Sequence, residues 1–250
     1  MHPGLVQFLN RLLRHTKLND EEQNAFLSLS VSEFDAPAHG MIIKRGQAVS
    51  SSCLVMEGLL AKTRDTMSGS RQITALYIPG DMPDIHAMMM PSATGTLFAL
   101  TPVKLLRLPR APLLAMVARY PALGEALWRE TVRDAVIATE WVANVGARLA
   151  MPRLAHLFCE MAVRSGVERD NAFDWTFPIT QANLAETTGM SAVHINRSLQ
   201  ALRKRDVMEV RDHRVSVRDW ALLQVLGEFD GEYLSYGKPE RLEPAAVLPN

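Results

Sequence analysis

Residues 179–217, ITQANLAETTGMSAVHINRSLQALRKRDVMEVRDHRVSV, constrain the fold more than any other part of the chain. Two segments with apolar residues at helical spacing are separated by Gly189, which can adopt the left-handed conformation that a tight turn between helices requires. Valines then alternate on either side of a short polar turn, as is typical of a β-hairpin. This order predicts a winged helix-turn-helix, a motif that places its second helix in the major groove of DNA.

The polar residues of this segment fall into two groups of expected DNA contacts. His194, Asn196 and Arg197 lie on the open side of the second helix, where arginine can bind guanine and asparagine can bind adenine. Residues at the helix starts, at the end of the second helix and at the hairpin turn are expected to contact the DNA backbone: Thr180, Ser191, Arg203, Lys204, Arg211 and Arg214. The alternative is a solvated basic helix and hairpin that have no nucleic-acid partner.

The charge distribution favours a local nucleic-acid site and excludes a uniformly basic binder. The 250-residue chain has 27 basic and 27 acidic residues, so its formal net charge is zero. Residues 178–218 nevertheless contain seven basic and four acidic residues, whereas residues 219–250 contain two basic and six acidic ones. Positive charge is therefore concentrated where the DNA-reading segment is predicted.

The first half of the chain has a different pattern. Short β-rich runs alternate with turns that contain glycine, proline and serine, and these runs cover residues 41–44, 53–56, 59–64, 72–78, 96–100 and 103–108. Many short strands at close spacing predict an antiparallel barrel or jelly roll. Helices are expected at residues 5–14 and 19–29 and again after Pro109. The fold class is therefore α+β: an N-terminal antiparallel β-roll with flanking helices, a long helix and a C-terminal winged helix-turn-helix.

Taken together, these features resemble the Crp/Fnr superfamily of bacterial transcription regulators over nearly the whole chain. The run GMIIKRGQAVSSSCLVMEGLLAKT resembles the β-roll of the family, with Gly40, Gly46 and Gly58 at turns. YIPGDM, at residues 77–82, resembles the strand end that leads into the family's effector pocket. The resemblance implies a homodimeric regulator that binds a roughly palindromic double-stranded DNA site and contacts RNA polymerase.

The second helix of the motif departs from the best-known family members. Arg197 matches the family's base-contacting arginine, but Ala192 and Val193 stand where those members have arginine and glutamate. The DNA sequence that this chain reads is therefore expected to differ from the well-known consensus.

A long helix is predicted from Pro121 to about Val145, and the resemblance implies that it forms the dimer contact. One set of residues alternates four and three apart, as the seam of a two-helix contact would: Leu127, Thr131, Asp134, Ala138, Trp141 and Val145. A neighbouring stripe of Val132, Ala135, Thr139 and Val142 is expected to pack on the β-roll. The alternative is a monomer whose helix is buried on its own β-roll.

The expected domain boundaries follow from these elements. A sensor β-roll covers residues 1–120, and the dimerisation helix covers residues 121–146 and ends in a hinge at Gly146. The DNA-binding domain covers residues 147–226. A mobile, acidic tail is expected over residues 227–250, where GKPERLEPAAVLPN is rich in proline.

The candidate effector pocket lies in PGDMPDIHAMMMPSATGTLFAL, and its polar positions are Gly80, Asp81, Asp84, His86, Thr94 and Thr96. Family members that bind cyclic nucleotides carry a glutamate for the ribose and an arginine for the phosphate. This segment has neither at the matching positions, so cyclic nucleotide binding is not expected. His86 and the adjacent methionines could ligate haem, but the alternative, a short helix packing its methionines into the β-roll, is favoured. No cofactor is therefore assigned.

Two further alternatives remain open at the level of the sequence. One is a ligand- or haem-binding signalling module whose helix-turn-helix mediates protein contacts. The other is a metalloenzyme of cupin type, although His39 and His86 are not clustered as metal ligands, so no enzymatic activity and no metal site are expected. Cys53 and Cys159 have no redox or metal spacing and are interpreted as buried thiols. No apolar run could cross a bilayer and no secretory signal is recognised, so a cytoplasmic location is expected.

Overall fold

The computed structural model describes residues 1–90 and 92–234. The helices are α1 Pro3–Leu12, α2 Asp20–Leu27, α3 Arg110–Arg119, α4 Pro121–Ala147, α5 Ala150–Ser165, α6 Gln181–Thr188, α7 Ala192–Lys204 and α8 Trp220–Leu226. The strands are β1 Ser32–Ala36, β2 Met41–Ile43, β3 Ser51–Glu57, β4 Leu60–Asp65, β5 Arg71–Tyr77, β6 Thr96–Ala99, β7 Val103–Pro109, β8 Phe173–Thr176, β9 Met208–Arg211 and β10 Arg214–Val217. Short 3₁₀ helices occupy Ile85–Met88 and Gly231–Leu234.

The predicted β-roll is confirmed. Strands β1 to β7 form two antiparallel sheets, ordered β1-β7-β3 and β2-β6-β4-β5. Side chains from both sheets meet in one apolar cluster that includes Val55, Leu60, Leu97 and Leu105. Because alternate residues of a strand point to opposite faces, the polar alternates of these strands face outward or toward neighbouring helices. The roll therefore has its own packed interior.

Gly58 is required by the tight connection between β3 and β4. Its φ is +87°, and a Cβ atom there would lie 2.3 Å from the carbonyl oxygen of Pro102. Gly69 has a similar φ of +84° but no atom within 4 Å of its Cβ position. We expect Gly58→Ala to lower the free energy of unfolding by about 3 kcal/mol, because strain and overlap add. Gly69→Ala should cost about 1 kcal/mol, from the backbone conformation alone. Equal losses in urea unfolding of the two variants would contradict this assignment.

The flanking helices bury a second apolar cluster against the sheet that contains β3 and β7. Phe8 of α1, Phe26 of α2 and Leu127 of α4 are members of this cluster. The predicted acidic start of the second helix is a capping box, in which the side chains of Asn19 and Glu22 each accept a hydrogen bond from the other's backbone N–H. These helices therefore form a layer over one face of the roll.

The helix breaks within the predicted residues 144–152 but about two residues after Gly146, because α4 continues through Gly146 to Ala147. Arg148 and Leu149 have extended backbone instead, with ψ angles of 144° and 166°. The physical reason is Pro152, whose ring would collide with the carbonyl of Arg148 if the helix continued. Proline is tolerated in the first turn of α5, where its missing N–H has no helical acceptor. Proline therefore sets the break and glycine does not.

The C-terminal module shares a core with the β-roll. One apolar cluster joins Ile73 and Leu76 of β5 to Phe158 of α5, Ile195 of α7 and Val215 of β10. The module contains the antiparallel sheet β8-β10-β9 and the helices α5 to α8. Helix α6 also packs against β5, and Gln72 donates a hydrogen bond to the carbonyl of Thr187 at 3.1 Å. The winged module is therefore docked on the roll.

The first part of the segment that is predicted to be a mobile tail is packed in the structure. Residues 227–234 pack on α5: Tyr233 is only 9% exposed, and its hydroxyl donates to Glu160 at 2.8 Å. Gly227 lies against the backbone of His156, where a Cβ would approach the His156 nitrogen to 2.8 Å. Most of the predicted proline-rich tail, residues 235–250, lies outside the described residues.

Candidate functional site

Helices α6 and α7 form the turn that the sequence predicts. Thr180 caps α6 by accepting a hydrogen bond from the Asn183 N–H at 3.1 Å, and Ser191 caps α7 by accepting from the His194 N–H at 3.3 Å. Gly189 ends α6 with φ at +65°. Ile195 is fully buried between the two helices and the module core. Helix α7 is thus held by one apolar face, and its opposite face is open.

The three residues predicted to contact bases all lie on that open face. His194, Asn196 and Arg197 are exposed, as are Ala192 and Val193 beside them. The Asn196 side chain accepts a hydrogen bond from the Gln200 amide at 2.7 Å, and the His194 ring is 3.0 Å from the Ser191 hydroxyl. In residues 1–90 and 92–234, Arg197 forms neither an ion pair nor a side-chain hydrogen bond. Its guanidinium is therefore available to an external acceptor.

The wing is a hairpin with a two-residue turn between β9 and β10. Asp212 and His213 form the turn with φ angles of 46° and 64°, the conformation of a tight type I′ turn. Three exposed arginines predicted to contact the backbone are held by acids of the module. Arg203 and Arg211 both contact the Glu209 carboxylate, at 3.1 and 2.5 Å, and Arg214 contacts Asp174 at 3.1 Å. Thr180, Ser191 and Lys204 are also exposed on this side.

The predicted dimer seam of α4 is wrong in its register. Leu127 and Trp141 are 1% and 7% exposed and pack inside the protomer, where the Trp141 indole N–H donates to Glu160 at 2.8 Å. Thr131, Asp134 and Ala138 border a cavity, and Val145 lies against Gly189. The neighbouring stripe does not pack on the roll either. Val132 and Val142 are 45% and 74% exposed.

This leaves an outward-facing apolar stripe on α4. Its members are Trp128, Val132, Ala135, Thr139 and Val142, which alternate four and three apart and are all exposed. Trp128 is 71% exposed, which is high for a side chain of that size. A stripe with this spacing is the surface that a two-helix contact uses. We call these five residues the α4 face.

The six predicted effector residues do not form one pocket. Asp81 is buried between two arginines, at 2.8 Å from both Arg11 and Arg164, and the Gly80 carbonyl accepts a hydrogen bond from Arg11 at 2.8 Å. Burial alone would raise the pKa of Asp81, but the guanidinium groups of Arg164 and Arg11 hold it below its ordinary value. Thr96 accepts a hydrogen bond from the Arg45 N–H at 3.3 Å. These residues therefore have structural contacts of their own.

Asp84, His86 and Thr94 do meet, inside the β-roll. They border a cavity of about 10 Å³, which has room for about one water molecule. Asp84 accepts a hydrogen bond from the Cys53 N–H at 2.7 Å, and burial raises the pKa of its carboxyl to about 7. A nucleotide does not fit this space as it stands.

A larger cavity of about 270 Å³ lies where β4, β5, the first 3₁₀ helix, α4 and α5 meet. Of the six predicted effector residues, His86 alone borders it. The effector prediction did not include the other polar groups of its lining: Lys62, Thr74, Tyr77, Thr131, Asp134 and Arg164. Two features of the sequence could have indicated this lining. They are a lysine within an apolar strand and an arginine on the apolar face of α5.

A buried polar network lies beside this cavity. Arg164 contacts the Asp81 and Glu160 carboxylates at 2.8 and 2.9 Å and donates to the Leu76 carbonyl at 2.7 Å. Glu160 also accepts from Trp141 and from Tyr233, whose ring stacks on His156. Burial lowers the pKa of His156, with the Arg148 charge acting in the same direction. The network ties the roll, α4, α5 and the segment after α8 together.

Both cysteines are buried, as predicted, and burial raises the pKa of each thiol far above its ordinary value. Over the described residues, no group of three or more histidine, cysteine or acidic side chains is suited to a metal ion. Nor does any helix there combine the length and apolar character needed to cross a membrane.

Comparison with known proteins agrees with this architecture. Residues 33–120 match the family description "Cyclic nucleotide-binding domain", and residues 152–226 match "Crp-like helix-turn-helix domain". The chain belongs to the Crp/Fnr superfamily. Among Crp/Fnr regulators, it is 24% identical to the transcriptional activator protein FnrL of Cereibacter sphaeroides over 75% of this chain and 77% of that one. It is 20% identical to the anaerobic regulatory protein of Pasteurella multocida, over 84% and 77% of the two chains.

The fold of this Crp/Fnr protein is also that of solved family structures. It superposes on FixK2 from Bradyrhizobium japonicum with a TM-score of 0.73 at 20% identity, covering 79% of this chain and 98% of FixK2. A regulator of the same family from Thermus thermophilus gives a TM-score of 0.64 at 18% identity, covering 78% and 97%. The chain is therefore a Crp/Fnr-type transcription regulator with a cyclic-nucleotide-binding-like domain and a helix-turn-helix domain.

Proposed function

We propose that this regulator is a homodimer that binds a roughly palindromic double-stranded DNA site and controls transcription in the cytoplasm through contact with RNA polymerase. The observation that carries the proposal is the open face of α7. His194, Asn196 and Arg197 project from a helix whose other face is fixed in the core, as a major-groove helix requires. Arg203, Lys204, Arg211 and Arg214, together with Thr180 and Ser191, would position the DNA backbone.

The α4 face is the observation that supports the homodimer. A two-fold pair of α4 helices would bury Trp128, Val132, Ala135, Thr139 and Val142 against their counterparts. A two-fold axis would then present two α7 helices on one side of the dimer, and DNA half-sites repeat about 34–36 Å apart. In this arrangement residues 1–120 act as the sensor, α4 as the dimer helix and the chain after Arg148 as the DNA-binding domain.

A cyclic nucleotide is not proposed as the effector. The cavity bordered by Asp84, His86 and Thr94 has a volume of about 10 Å³. The Asp81 carboxylate is paired with Arg11 and Arg164, and the Gly80 carbonyl accepts a hydrogen bond from Arg11. The arginines beside Asp81 are already paired with carboxylates, so a phosphodiester would have to displace these ion pairs to gain a cation there. Neither haem nor a metal ion is assigned.

Arg197 should provide discrimination between bases. We expect Arg197→Ala to lose about 1–3 kcal/mol of preference at one position of each half-site, while its affinity for random DNA changes little. Lys204→Ala is the matched control. It should weaken binding to all sequences alike and reduce the salt dependence by about one phosphate contact. Selection of binding sites from random DNA followed by titrations at several salt concentrations measures both effects.

An Arg197→Ala protein that selects the same sites as the parent would contradict the base-contacting role. If the parent protein enriches no DNA sequence at all, the helix-turn-helix would have to serve protein contacts.

A further inference from the structure

Lys62 is a half-buried cation. It lies on β4 between the buried Ala61 and Thr63, and its stem passes over Gly95 to border both cavities. Across the described parts of the chain, its ammonium forms no ion pair and no hydrogen bond. Burial lowers the pKa of Lys62, opposed by the charges of Asp134 and Asp84. A partly buried cation of this kind is stabilised by an anion that enters the cavity.

The opposite wall of the 270 Å³ cavity carries Asp134 on α4. Burial has the largest effect on the Asp134 carboxyl, and together with the charges of Asp81 and Glu130 it raises the pKa to about 7. The charges of Arg164 and Arg11 act in the opposite direction. Asp134 is therefore neutral in about half of the molecules near pH 7.

The charges that face Asp134 come from several elements. The β-roll side presents Lys62, His86, Tyr77 and Asp81; α5 presents Arg164; α1 presents Arg11; and α4 itself presents Glu130. Burial lowers the pKa of His86 to about 4, so its ring is neutral at physiological pH. The pKa of Tyr77 is raised by burial, so its hydroxyl stays protonated. Arg164 is already paired with Asp81 and Glu160, although its Nε–H has no partner among the described residues. Lys62 is thus the cation of this lining that forms no ion pair with the described residues.

The rest of the lining is mostly apolar, apart from Thr74 and Thr131, whose hydroxyls donate to backbone carbonyls of the neighbouring strand and of the same helix. Its apolar members are Leu76 of β5, Pro83, Ile85 and Ile137 of α4, together with alanines of β5 and α4. A ligand that fits needs one anionic end and a compact apolar body, and a cavity of this size is near the lower limit of small-molecule sites. A highly charged or large polar ligand would lose its hydration against these walls.

We propose that this cavity binds a small organic monocarboxylate, with Lys62 as its ion-pair partner, protonated Asp134 as a hydrogen-bond donor and the apolar walls around its body. The inference rests on the proposed function, since it names the effector class of the sensor. The site lies outside the interior of the roll and adjoins the α4 face through Ala135. Occupancy would therefore act directly on the proposed dimer helix.

The proposal fixes the sign of the pH dependence. An anion next to Asp134 favours the protonated carboxyl, so binding above pH 7 takes up one proton. Affinity should fall by about tenfold between pH 6 and pH 8, which is the change in the protonated fraction of a group with a pKa of about 7.

Titration calorimetry on the full-length protein without DNA tests the proposal, with benzoate and hexanoate as probes and benzamide and hexanamide as uncharged controls. Both acids should bind saturably in the millimolar range or tighter, and the amides should bind at least about tenfold more weakly. Measurements in two buffers of different ionisation enthalpy at pH 8 should show uptake of one proton. Lys62→Met should lose at least about tenfold in affinity, whereas Lys104→Met, at a lysine of β7 that is paired with Glu57 and does not line the cavity, should not.

The variant Asp134→Asn distinguishes a ligand-binding role of Asp134 from a merely structural one. It should bind the acids at pH 8 about as tightly as the parent does at pH 6, without proton uptake, because the amide donates at every pH. Failure of both acids to bind, equal binding of the amides, or unchanged binding by Lys62→Met would overturn the proposal. Because no DNA is present, such a failure would leave the proposed DNA-binding function standing, and a failure of DNA binding would leave this result standing.

Discussion

The double variant Val132→Asp/Val142→Asp is expected to be a monomer and to lose about 100-fold or more in affinity for a DNA site with two half-sites. The two valines are 45% and 74% exposed in the protomer, so their replacement removes little intramolecular packing. In a two-fold α4 contact, four carboxylates would be desolvated without cations opposite them, which opposes association. Each monomer would then bind one half-site without the gain in effective concentration that a dimer has.

The matched control for this variant is Val225→Asp on α8. Val225 is 73% exposed but lies outside the α4 face, so its replacement should leave the mass and the DNA affinity unchanged. Sedimentation velocity gives the mass, and a thermal unfolding curve shows whether each variant is folded. A folded double variant that remains dimeric would show that another surface of the protein makes the dimer.

Asp81→Ala should produce the largest loss of stability, about 3–5 kcal/mol in the free energy of unfolding. Asp81 is 5% exposed and lies 2.8 Å from both Arg11 and Arg164, and it also accepts from the Ile78 N–H at 2.9 Å. Its removal leaves two buried guanidinium groups without one of their acceptors. Asp65→Ala, which breaks an exposed pair with Arg71, should cost less than about 1 kcal/mol.

The pH dependence of this contribution has a definite sign. The folded-state pKa of Asp81 is below its ordinary value, so its stabilising contribution is fully present above the unfolded pKa, near 4. It is lost as the pH falls through the folded pKa. Urea unfolding of the parent and of Asp81→Ala should therefore converge in strong acid. A constant difference at all pH values would show that the loss comes from packing and not from the ionised carboxylate.

The helix-turn-helix was predictable because its determinants are local. Thr180, Gly189 and Ser191 fix the helix ends within one stretch of twelve residues, and Ile195 fixes which face of α7 is buried. The β-roll was predictable for the same reason, from short strands between turns. Local rules specify such elements whatever the rest of the chain does.

The register of α4 was not predictable from spacing alone. Two stripes of α4, offset by one residue, both have members spaced alternately four and three residues apart. The sequence does not show which stripe packs inside the protomer. Trp141 packs in the apolar core, where Glu160, on another helix, accepts its indole N–H. Similarly, glycine at residue 146 predicts a hinge there, but Pro152, six residues later, decides where the helix ends. A contact with a distant part of the chain therefore decides the register of α4, and the nearby proline decides where α4 ends.

The 270 Å³ cavity could not be found from sequence because five separate elements line it. Lys62 and Arg164 are about one hundred residues apart in the chain, and nothing in the local pattern joins them. The predicted residues Gly80 and Asp81 proved to be part of the ion-pair network that holds the roll to α5. A buried aspartate in sequence can indicate a ligand site or a structural ion pair, and only the fold distinguishes them.

The most direct test of the central claim is the symmetry of the DNA that the protein selects. Random double-stranded DNA should be enriched with the purified parent protein, sequenced, and analysed for inverted repeats. Two α7 helices related by a two-fold axis predict inverted half-sites whose centres lie one helical turn apart, about 10–10.5 base pairs, and one protein dimer on each site. Enriched sites that carry a single unrepeated half-site bound by one protomer, or the absence of enrichment, would contradict the account.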